Sequence, residues 1–326
     1  MRGLLMAALA AVLSVTAAAS DFATLVAEKS PVAFCVYPSA LFNADLGKLL
    51  LEKFQQQNEY QSLNDFEQAS GVKISDDVKR MVFVPLDETG ENLYVVLDGK
   101  FDAQKIETAI AKAIESQGWK DYKAVDENGV RKLSWTDDKG NNVFLAFVGA
   151  DKIVISPTDD SLQVGVAVVA GKAANAASKP LFQRAEVKNG VAFVEGAGEV
   201  TAKMKASAPQ AQGVESVVVT LAGLPDGNNN LLVAVRSESA ESAKQQAQQW
   251  TMMKTFLAPS FPGVVEKITI NSQDQDVVLS LTFSQEEIAG LAGSLGAQGG
   301  DDEADEDDEV DDEAAEDAPE AIEGNK

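Results

Sequence analysis

Residues 78–97 read VKRMVFVPLDETGENLYVVL, and residues 214–235 read VESVVVTLAGLPDGNNNLLVAV. In each stretch, two runs of mostly β-branched and other apolar residues flank a turn that contains Gly, Asn and Asp. Such runs favour strands, and the polar connection between them favours a hairpin. The two stretches therefore predict two similar antiparallel hairpins, one in each half of the chain.

The segments around these hairpins follow the same order twice, which indicates an internal duplication. Each copy has an initial strand, a short helical pattern, the hairpin, a longer helix and a closing hairpin. The initial strands are Val32-Ala33-Phe34 and Val191-Ala192-Phe193, the short helical patterns cover 40–56 and 199–206, and the closing hairpins cover 132–147 and 267–281.

After each central hairpin the apolar period changes from about 2 to about 3.6 residues, which predicts a helix. Asp102 is the expected N-cap of the first helix and Gly118 its end, while Pro259 and Pro262 end the second. One apolar stripe per helix predicts that the helices cover one face of the sheet. The stripes are Ile106, Ala109, Ile110, Ala113 and Ile114 in the first copy, and Ala243, Ala247, Trp250, Met253 and Leu257 in the second.

The first copy carries extra elements, and a connector joins it to the second. The extras are a helical pattern at 63–69, a strand at 153–155 and an Asn128-Gly129 turn of the type found in two-residue hairpins. In the connector, 162–171 alternates like a strand but follows residues that can cap a helix. We interpret it as a buried helix, with a second helix near 176–187.

These patterns predict an α+β protein made of two copies of a mostly antiparallel sheet unit with helices on one face. The expected parts are a signal peptide (1–19), a first repeat (21–158), a helical connector (159–188), a second repeat (189–298) and a tail (299–326). The sequence leaves open whether the repeats form two domains or one continuous sheet.

The N-terminus has the pattern of a secretory signal peptide: Arg2, an apolar run from Leu4 to Val15, then small residues. Cleavage is expected near Ala19 or Ser20, which predicts a periplasmic or secreted protein. The alternative is an uncleaved anchor, but the apolar run is shorter than the roughly 20 residues that a spanning helix needs. No later stretch predicts a transmembrane segment.

Acidic residues concentrate at the C-terminus. Residues 301–326 carry a net charge of −14, and the rest of the chain carries −10. A segment this acidic cannot bury enough apolar surface to fold, so we expect a disordered tail that holds divalent cations loosely, as counterions. Overall acidity also argues against nucleic acid as a partner.

Several enzyme classes are excluded by composition. The chain has no histidine, which removes histidine-based triads and most zinc sites. It also lacks a phosphate-binding P-loop and a Gly-x-Ser-x-Gly motif. The single cysteine, Cys35, lies in an apolar run and is expected to be a structural core residue. No catalytic, cofactor-binding or metal-ligating residue is therefore assigned, and no cofactor is expected.

Three weak motifs remain, each with a simpler structural explanation. Ser70 and Lys73 have the spacing of a serine nucleophile and its lysine base, but also fit a helix end. Gly196-Ala197-Gly198 resembles part of a dinucleotide-binding loop, but also fits a tight turn. The segments 137–142 and 226–230 contain calcium-type oxygen ligands, but neither has the spacing of a calcium loop, and turn chemistry explains both without a metal.

We consider three hypotheses for function. The leading one is an exported, non-enzymatic binding or interaction protein of the cell envelope, whose partner the sequence does not identify. The second is a hydrolase that uses only carboxylates, with Asp76-Asp77, Asp137-Asp138 and Asp159-Asp160 as the available pairs. The third makes the acidic tail the functional part, which binds cations or a basic partner while the body serves as its scaffold.

Overall fold

A sheet of twelve antiparallel strands forms the framework of the computed structural model, which describes residues 21–48, 58–183, 191–207, 211–259 and 262–287. The described residues belong to one compact unit that ends at Glu287. The strands are β1 (Val32–Val36), β2 (Val78–Pro85), β3 (Leu93–Gly99), β4 (Lys120–Glu127), β5 (Val130–Thr136), β6 (Asn142–Val148), β7 (Lys152–Ser156), β8 (Val191–Glu199), β9 (Val214–Gly223), β10 (Asn229–Ser237), β11 (Ile268–Gln273) and β12 (Asp276–Phe283).

Helices connect these strands and cover parts of the sheet. Besides a helical segment at 45–48, the α-helices in the described ranges are α1 (Pro38–Asn43), α2 (Asn58–Ser70), α3 (Ile74–Asp77), α4 (Ala103–Gln117), α5 (Asp159–Val169), α6 (Ala202–Ser207), α7 (Ala240–Leu257) and α8 (Pro262–Val265). Short 3₁₀ segments occur at Asp21–Leu25, Ala176–Ser178 and Pro180–Gln183.

The two halves of the chain meet in the middle of the sheet, where β1 pairs with β8. The register runs from Val32 opposite Gly198 to Val36 opposite Val194. The strand order is β11-β12-β10-β9-β8-β1-β2-β3-β7-β6-β5-β4. The question of two domains or one sheet is therefore answered: the halves share one sheet.

The strand order places the closing hairpins of the two halves differently in the sheet. The closing hairpin of the second half, β11–β12, contacts the sheet through β12, which lies beside β10. In the first half, β7 occupies the corresponding place beside β3. By position in the sheet, β11–β12 therefore corresponds to β6–β7, whereas the sequence comparison matched 267–281 with 132–147, which contains β5 and β6.

The helices lie on both faces of the sheet, contrary to the prediction of one covered face. Ile153 packs in a core cluster with Ile106 and Ile110 of α4. The next residue, Val154, contacts α5 at Gly165, where an added Cβ would be 2.8 Å from a Val154 methyl group. Because successive side chains of a strand point to opposite faces, α4 and α5 cover opposite faces. The prediction failed because α5 was assigned to a connector rather than to the sheet.

Tyr94 holds the N-terminal 3₁₀ segment against the sheet. Its side chain is fully buried in the core cluster that includes Val96, Val154 and Leu162. The Tyr94 hydroxyl accepts a hydrogen bond from the Ala27 amide at 2.8 Å and donates one to the Leu25 carbonyl at 2.9 Å. Two buried main-chain groups therefore depend on this hydroxyl.

Several local predictions are confirmed. The Asp102 side chain accepts from the Lys105 amide at 3.1 Å and caps α4, and Gly118 ends the helix with a φ of 70°. Asn128 and Gly129 have φ values of 52° and 78°, as a type I′ turn requires. The helical pattern at 63–69 lies within α2.

Other boundaries differ. The ambiguous stretch 162–171 is helical as predicted, but the N-cap is Thr158, whose hydroxyl accepts from the Ser161 amide. The helix expected near 176–187 is replaced by the two short 3₁₀ segments, and 184–190 lies outside the described residues. The predicted helix at 199–206 begins later, as α6, because β8 continues to Glu199. In the predicted pattern at 40–56, residues 49–56 lie outside the described residues.

The described helices include none with the length and apolarity needed to cross a membrane.

Candidate functional site

A groove of about 1430 Å³ opens at one end of the sheet, where the β1–β8 seam reaches the surface. It is bordered by the residues that follow β1 and β3, by those that precede β2 and β7, and by the start of β8. The turn between β9 and β10 forms its remaining wall. Antiparallel pairing brings these strand ends together, although they are far apart in the sequence.

Apolar side chains form much of the groove wall. Phe193 and Leu46 are buried beside it, and Leu224 and Pro225 come from the β9–β10 turn. Val191, the first residue of β8, is 61% exposed. Val191 therefore adds an exposed apolar side chain to the lining of the groove.

Charged groups lie around the apolar wall, and acids outnumber bases. Aspartates contribute from four separate segments, and two lysines lie among them. The aspartates are Asp45, Asp76, Asp77, Asp98 and Asp151, and the lysines are Lys79 and Lys100. The Lys152 ammonium, 2.5 Å from Asp151, lowers the pKa of that carboxyl.

Asp98 is the acid with a fixed structural partner in the core. Its carboxylate accepts a hydrogen bond from Arg80 Nε at 2.6 Å, and the two side chains are 9% and 7% exposed. Arg80 and Asp98 lie opposite each other on the paired strands β2 and β3, next to a bulge in β2. This buried ion pair fixes the position of the Asp98 side chain at the inner end of the groove.

Tyr37 forms a second polar contact across the seam. Its hydroxyl donates to Glu195 Oε2 at 2.6 Å, and its amide donates to the Phe193 carbonyl at 2.9 Å. Burial raises the pKa of Tyr37, and the neighbouring Cys35 and Glu195 add to the effect. The phenol therefore stays protonated and remains a hydrogen-bond donor.

Cys35 is a core residue, as predicted. Its side chain is fully buried, and burial raises the pKa of the thiol to about 12. Because the thiolate is the reactive form of cysteine, Cys35 is not set up as a nucleophile.

Gly99 allows two segments of the groove to approach closely. Its amide donates to the Asp151 carbonyl at 2.8 Å, and the next amide, of Lys100, donates to the Asp77 carbonyl at 2.8 Å. A Cβ at position 99 would lie 2.1 Å from the Asp77 carbonyl oxygen. Glycine is therefore required for the ends of β3, α3 and the β6–β7 turn to meet.

The Ser70 and Lys73 pair does not form a nucleophile and base. The buried Ser70 hydroxyl donates to the Phe66 carbonyl at 2.7 Å and accepts from the Val72 amide, so it closes the end of α2. The Lys73 ammonium is exposed and points to Asp76 at 4.0 Å.

Gly196-Ala197-Gly198 lies within β8, so it is neither a dinucleotide loop nor a tight turn. A Cβ at Gly196 would be 2.8 Å from the Phe34 ring, and one at Gly198 would be 3.1 Å from a Val32 methyl group. These glycines are therefore needed because the larger side chains of β1 lie over β8 at the seam.

The two calcium-type segments use their oxygens to close turns. Asp137 Oδ1 accepts from the Asn141 amide at 2.7 Å, and Asp226 Oδ1 accepts from the Asn228 amide at 3.0 Å. Hydrogen bonds from Asn141 and Asn228 lower the pKa of both aspartates. Within the described ranges, His, Cys, Asp and Glu form no group of three or more that could hold a metal ion.

The three aspartate pairs do not come together. Asp76-Asp77 borders the groove, where Asp77 Oδ2 accepts from the Lys73 amide at 2.8 Å. Asp137-Asp138 belongs to the turn just described. Asp159-Asp160 lies in the first turn of α5, and Asp159 Oδ2 accepts from Gln163 Nε2 at 2.6 Å.

Sequence patterns did not identify the groove, because its residues are contributed by strand ends spread over nearly 200 positions. One signal was available: Val191 and Phe193 belong to the repeated initial strand, which aligns with β1. Pairing of the two initial strands would have predicted a seam there, and hence a site at its end.

Neither a protein-family model nor a curated protein matches the chain. Among solved structures, it is similar to a double ringed trimeric shell protein from the RMM microcompartment, with 15% identity and a TM-score of 0.12. The match covers 63% of this chain and 81% of that chain. At this TM-score the likeness carries no argument about fold or function.

Proposed function

We propose that the protein is an exported, non-enzymatic binding protein that holds its ligand in the groove at the end of the β1–β8 seam. The observation that carries the proposal is the groove itself, which joins an apolar wall to a ring of charged groups. Concave sites of this composition are the usual location of bound ligands. The signal-peptide pattern of residues 1–19 supports export to the periplasm or the medium.

Duplication accounts for the position of the groove. Two related sheet units, joined through their first strands, create one central seam, and the ends of both units contribute to its mouth. The matching strand orders β1-β2-β3-β7 and β8-β9-β10-β12 in the two halves support this origin. In this proposal the acidic segment 299–326 serves to keep the protein in solution.

The charges indicate the class of ligand. Exposed Asp76 and Asp151 lie on either side of the end of β3, and Val191 adds an exposed apolar side chain to the same groove. A ligand with both an apolar group and positive charge matches this surface, and the excess of acids would attract it over long range. A basic peptide with apolar side chains is the simplest molecule of this class.

The hydrolase hypothesis gains no support from the groove. A general acid needs a carboxyl whose pKa is raised towards neutrality. The pKa of Asp151 is lowered by Lys152. The Asp98 side chain already accepts a hydrogen bond from Arg80 in a buried ion pair. The hypothesis of a functional tail concerns residues outside the described ranges and stays an alternative.

The proposal is tested by titrating the protein with two peptides of equal length, one alternating leucine and lysine and the other alternating leucine and glutamate. Isothermal titration calorimetry should detect the basic peptide and not the acidic one. Asp76→Asn with Asp151→Asn should weaken binding severalfold, and the loss should shrink as salt rises. Equal binding of both peptides, or of neither, would refute the proposed ligand class.

A matched pair of variants tests the apolar wall. Val191→Gln removes an exposed apolar side chain at the groove, whereas Val125→Gln removes one on β4 at the far edge of the sheet. The two side chains are 61% and 52% exposed, so neither change disturbs the core. Only Val191→Gln should weaken peptide binding. If Val125→Gln has the same effect, the ligand is not held in the groove.

A further inference from the structure

Of the described residues that line the groove, two with polar side chains are buried, Asp98 and Asn229. Asp98 accepts a hydrogen bond from Arg80 and is accounted for by the core ion pair. Asn229, the first residue of β10, is 4% exposed. Because nearly all buried polar groups in proteins are hydrogen-bonded, a buried side chain without a partner needs an explanation.

The Asn229 carboxamide forms no hydrogen bond with any described residue. It is not completely enclosed either: in the described part of the chain, the enclosed polar side-chain atoms without a partner are Thr220 Oγ1 and Ser237 Oγ. Because Asn229 lines the groove, its carboxamide reaches the groove and is open to a ligand. The carboxamide offers that ligand both an acceptor oxygen and an NH₂ donor.

The sheet fixes Asn229 in this position. Strand β10 lies between β9 and β12, and Asn229 pairs with Gly223 on one side and with Phe283 on the other. Paired residues point to the same face of a sheet. On this face the Phe193 ring lies over Gly223, where an added Cβ would be 2.5 Å from the ring. The carboxamide therefore shares its face of the sheet with an apolar ring, and hydrogen bonds are stronger in such surroundings than in water.

Two other asparagines of the groove differ from Asn229 in both respects. Asn43 Nδ2 donates to the Ser39 carbonyl at 2.8 Å, and Asn228 Nδ2 donates to Asp226 Oδ2 at 3.0 Å. Neither side chain is buried. These two amides serve the local chain, whereas the Asn229 carboxamide is both buried and without a partner in the described residues.

We propose that Asn229 binds the main chain of a peptide held in the groove. In an extended peptide the N–H and C=O of one residue point to the same side, so one carboxamide can accept from the first and donate to the second. The aspartates of the groove attract charged side chains, whereas Asn229 selects ligands that contain a peptide bond. This inference rests on the proposed function and adds that the peptide passes the start of β10 in an extended conformation.

The first test is Asn229→Leu, which keeps the branched shape of the side chain and removes its polar atoms. Calorimetry with the peptide of alternating leucine and lysine should show a dissociation constant raised by about tenfold, because two hydrogen bonds are lost. The carboxamide is neutral, so this factor should be the same at low and high salt, unlike the effect of Asp76→Asn with Asp151→Asn. An Asn229→Leu effect that shrinks as salt rises would overturn the proposal.

The second test removes the matching group from the ligand. The same peptide is N-methylated at one peptide bond at a time, which deletes one N–H donor in each analogue. At one position the methyl group should weaken binding to the natural protein and have little further effect on binding to Asn229→Leu, because the two changes remove the same contact. Equal losses in both proteins at every position would show that Asn229 does not contact the main chain.

The matched control is Asn230→Leu, the same change at the next residue. Asn230 is 8% exposed and points to the opposite face, where its Nδ2 donates to Ser280 Oγ at 3.0 Å and to Thr282 Oγ1 at 3.1 Å. Asn230→Leu should lower the urea midpoint of unfolding and leave the dissociation constant unchanged. Asn229→Leu should not lower the midpoint, because no hydrogen bond within the protein is lost.

The outcomes separate this inference from the proposed function. If the natural protein binds neither peptide, the groove is not a peptide site, and the role of Asn229 falls with it. If the natural protein binds the basic peptide and Asn229→Leu binds it equally well, only the role of Asn229 is refuted. A urea midpoint lowered in Asn229→Leu as much as in Asn230→Leu would assign Asn229 to the stability of the fold and would also overturn the proposal.

Discussion

Replacing Tyr94 by phenylalanine should lower stability far more than the loss of one hydroxyl from an exposed tyrosine. The Tyr94 hydroxyl satisfies the Ala27 amide and the Leu25 carbonyl, and all three residues are buried. Leaving one buried polar group without a partner costs about 1–3 kcal/mol. Two such groups, offset by the easier burial of phenylalanine, give a net loss of about 2–4 kcal/mol.

The matched control is Tyr122→Phe. The Tyr122 hydroxyl donates to Glu107 at 3.4 Å near the surface, where water can replace it. Its loss should cost about 0.5 kcal/mol or less. The comparison isolates burial, because the chemical change is identical.

Urea unfolding followed by fluorescence measures the difference. With a slope of about 3 kcal/mol/M for a unit of this size, the midpoint for Tyr94→Phe should fall by about 1 M. The slope itself should not change. A Tyr94→Phe midpoint within about 0.2 M of the Tyr122→Phe midpoint would refute the assignment of Tyr94 as the residue that holds the N-terminal segment.

Two further predictions concern charged pairs. Arg80→Met leaves Asp98 buried without its cation and should lower the free energy of unfolding by about 3–5 kcal/mol, measured by urea unfolding. Adding Asp98→Leu should recover most of that loss. A double variant no more stable than Arg80→Met would contradict this prediction. The Arg131 guanidinium lowers the pKa of Glu107 from its ordinary value of 4.5, so this stabilisation is present above that pH and lost as the pH falls through the lowered value. The difference in melting temperature between the natural protein and Glu107→Gln should therefore narrow from pH 7 to pH 3, and a constant difference would argue against the pair.

Local patterns predicted much of the secondary structure, because its determinants are local. Asp102 and Gly118 define α4 through a side-chain cap and a left-handed residue, and both can be recognised in the sequence. Asn128-Gly129 defines its turn in the same way. Residues before 162–171 that can cap a helix likewise predicted that α5 is a helix, although the alternation of apolar residues there favoured a strand.

The arrangement of these elements depended on contacts that no local pattern contains. Whether α5 packs on the sheet is decided by Gly165, which lets the helix approach the Tyr94 ring, and one glycine in an apolar run does not reveal this. The meaning of Gly196 likewise depends on Phe34 from a strand more than 150 residues earlier. The groove was missed for the same reason, since it exists only once β1 and β8 have paired.

The β1–β8 seam also has a consequence for how the chain acquires its fold. Cys35 lies opposite Glu195, so this pairing closes a loop of 160 residues, whereas β1 pairs with β2 over a much shorter distance. During synthesis from the N-terminus, the first half can form while one side of the apolar strand β1 still lacks its neighbour. Long-range pairings form late and leave strand edges open to aggregation in the meantime. A chaperone would therefore be needed most while only the first half of the chain has been synthesised. The chaperone should be released once β8, which ends at residue 199, is available to pair with β1.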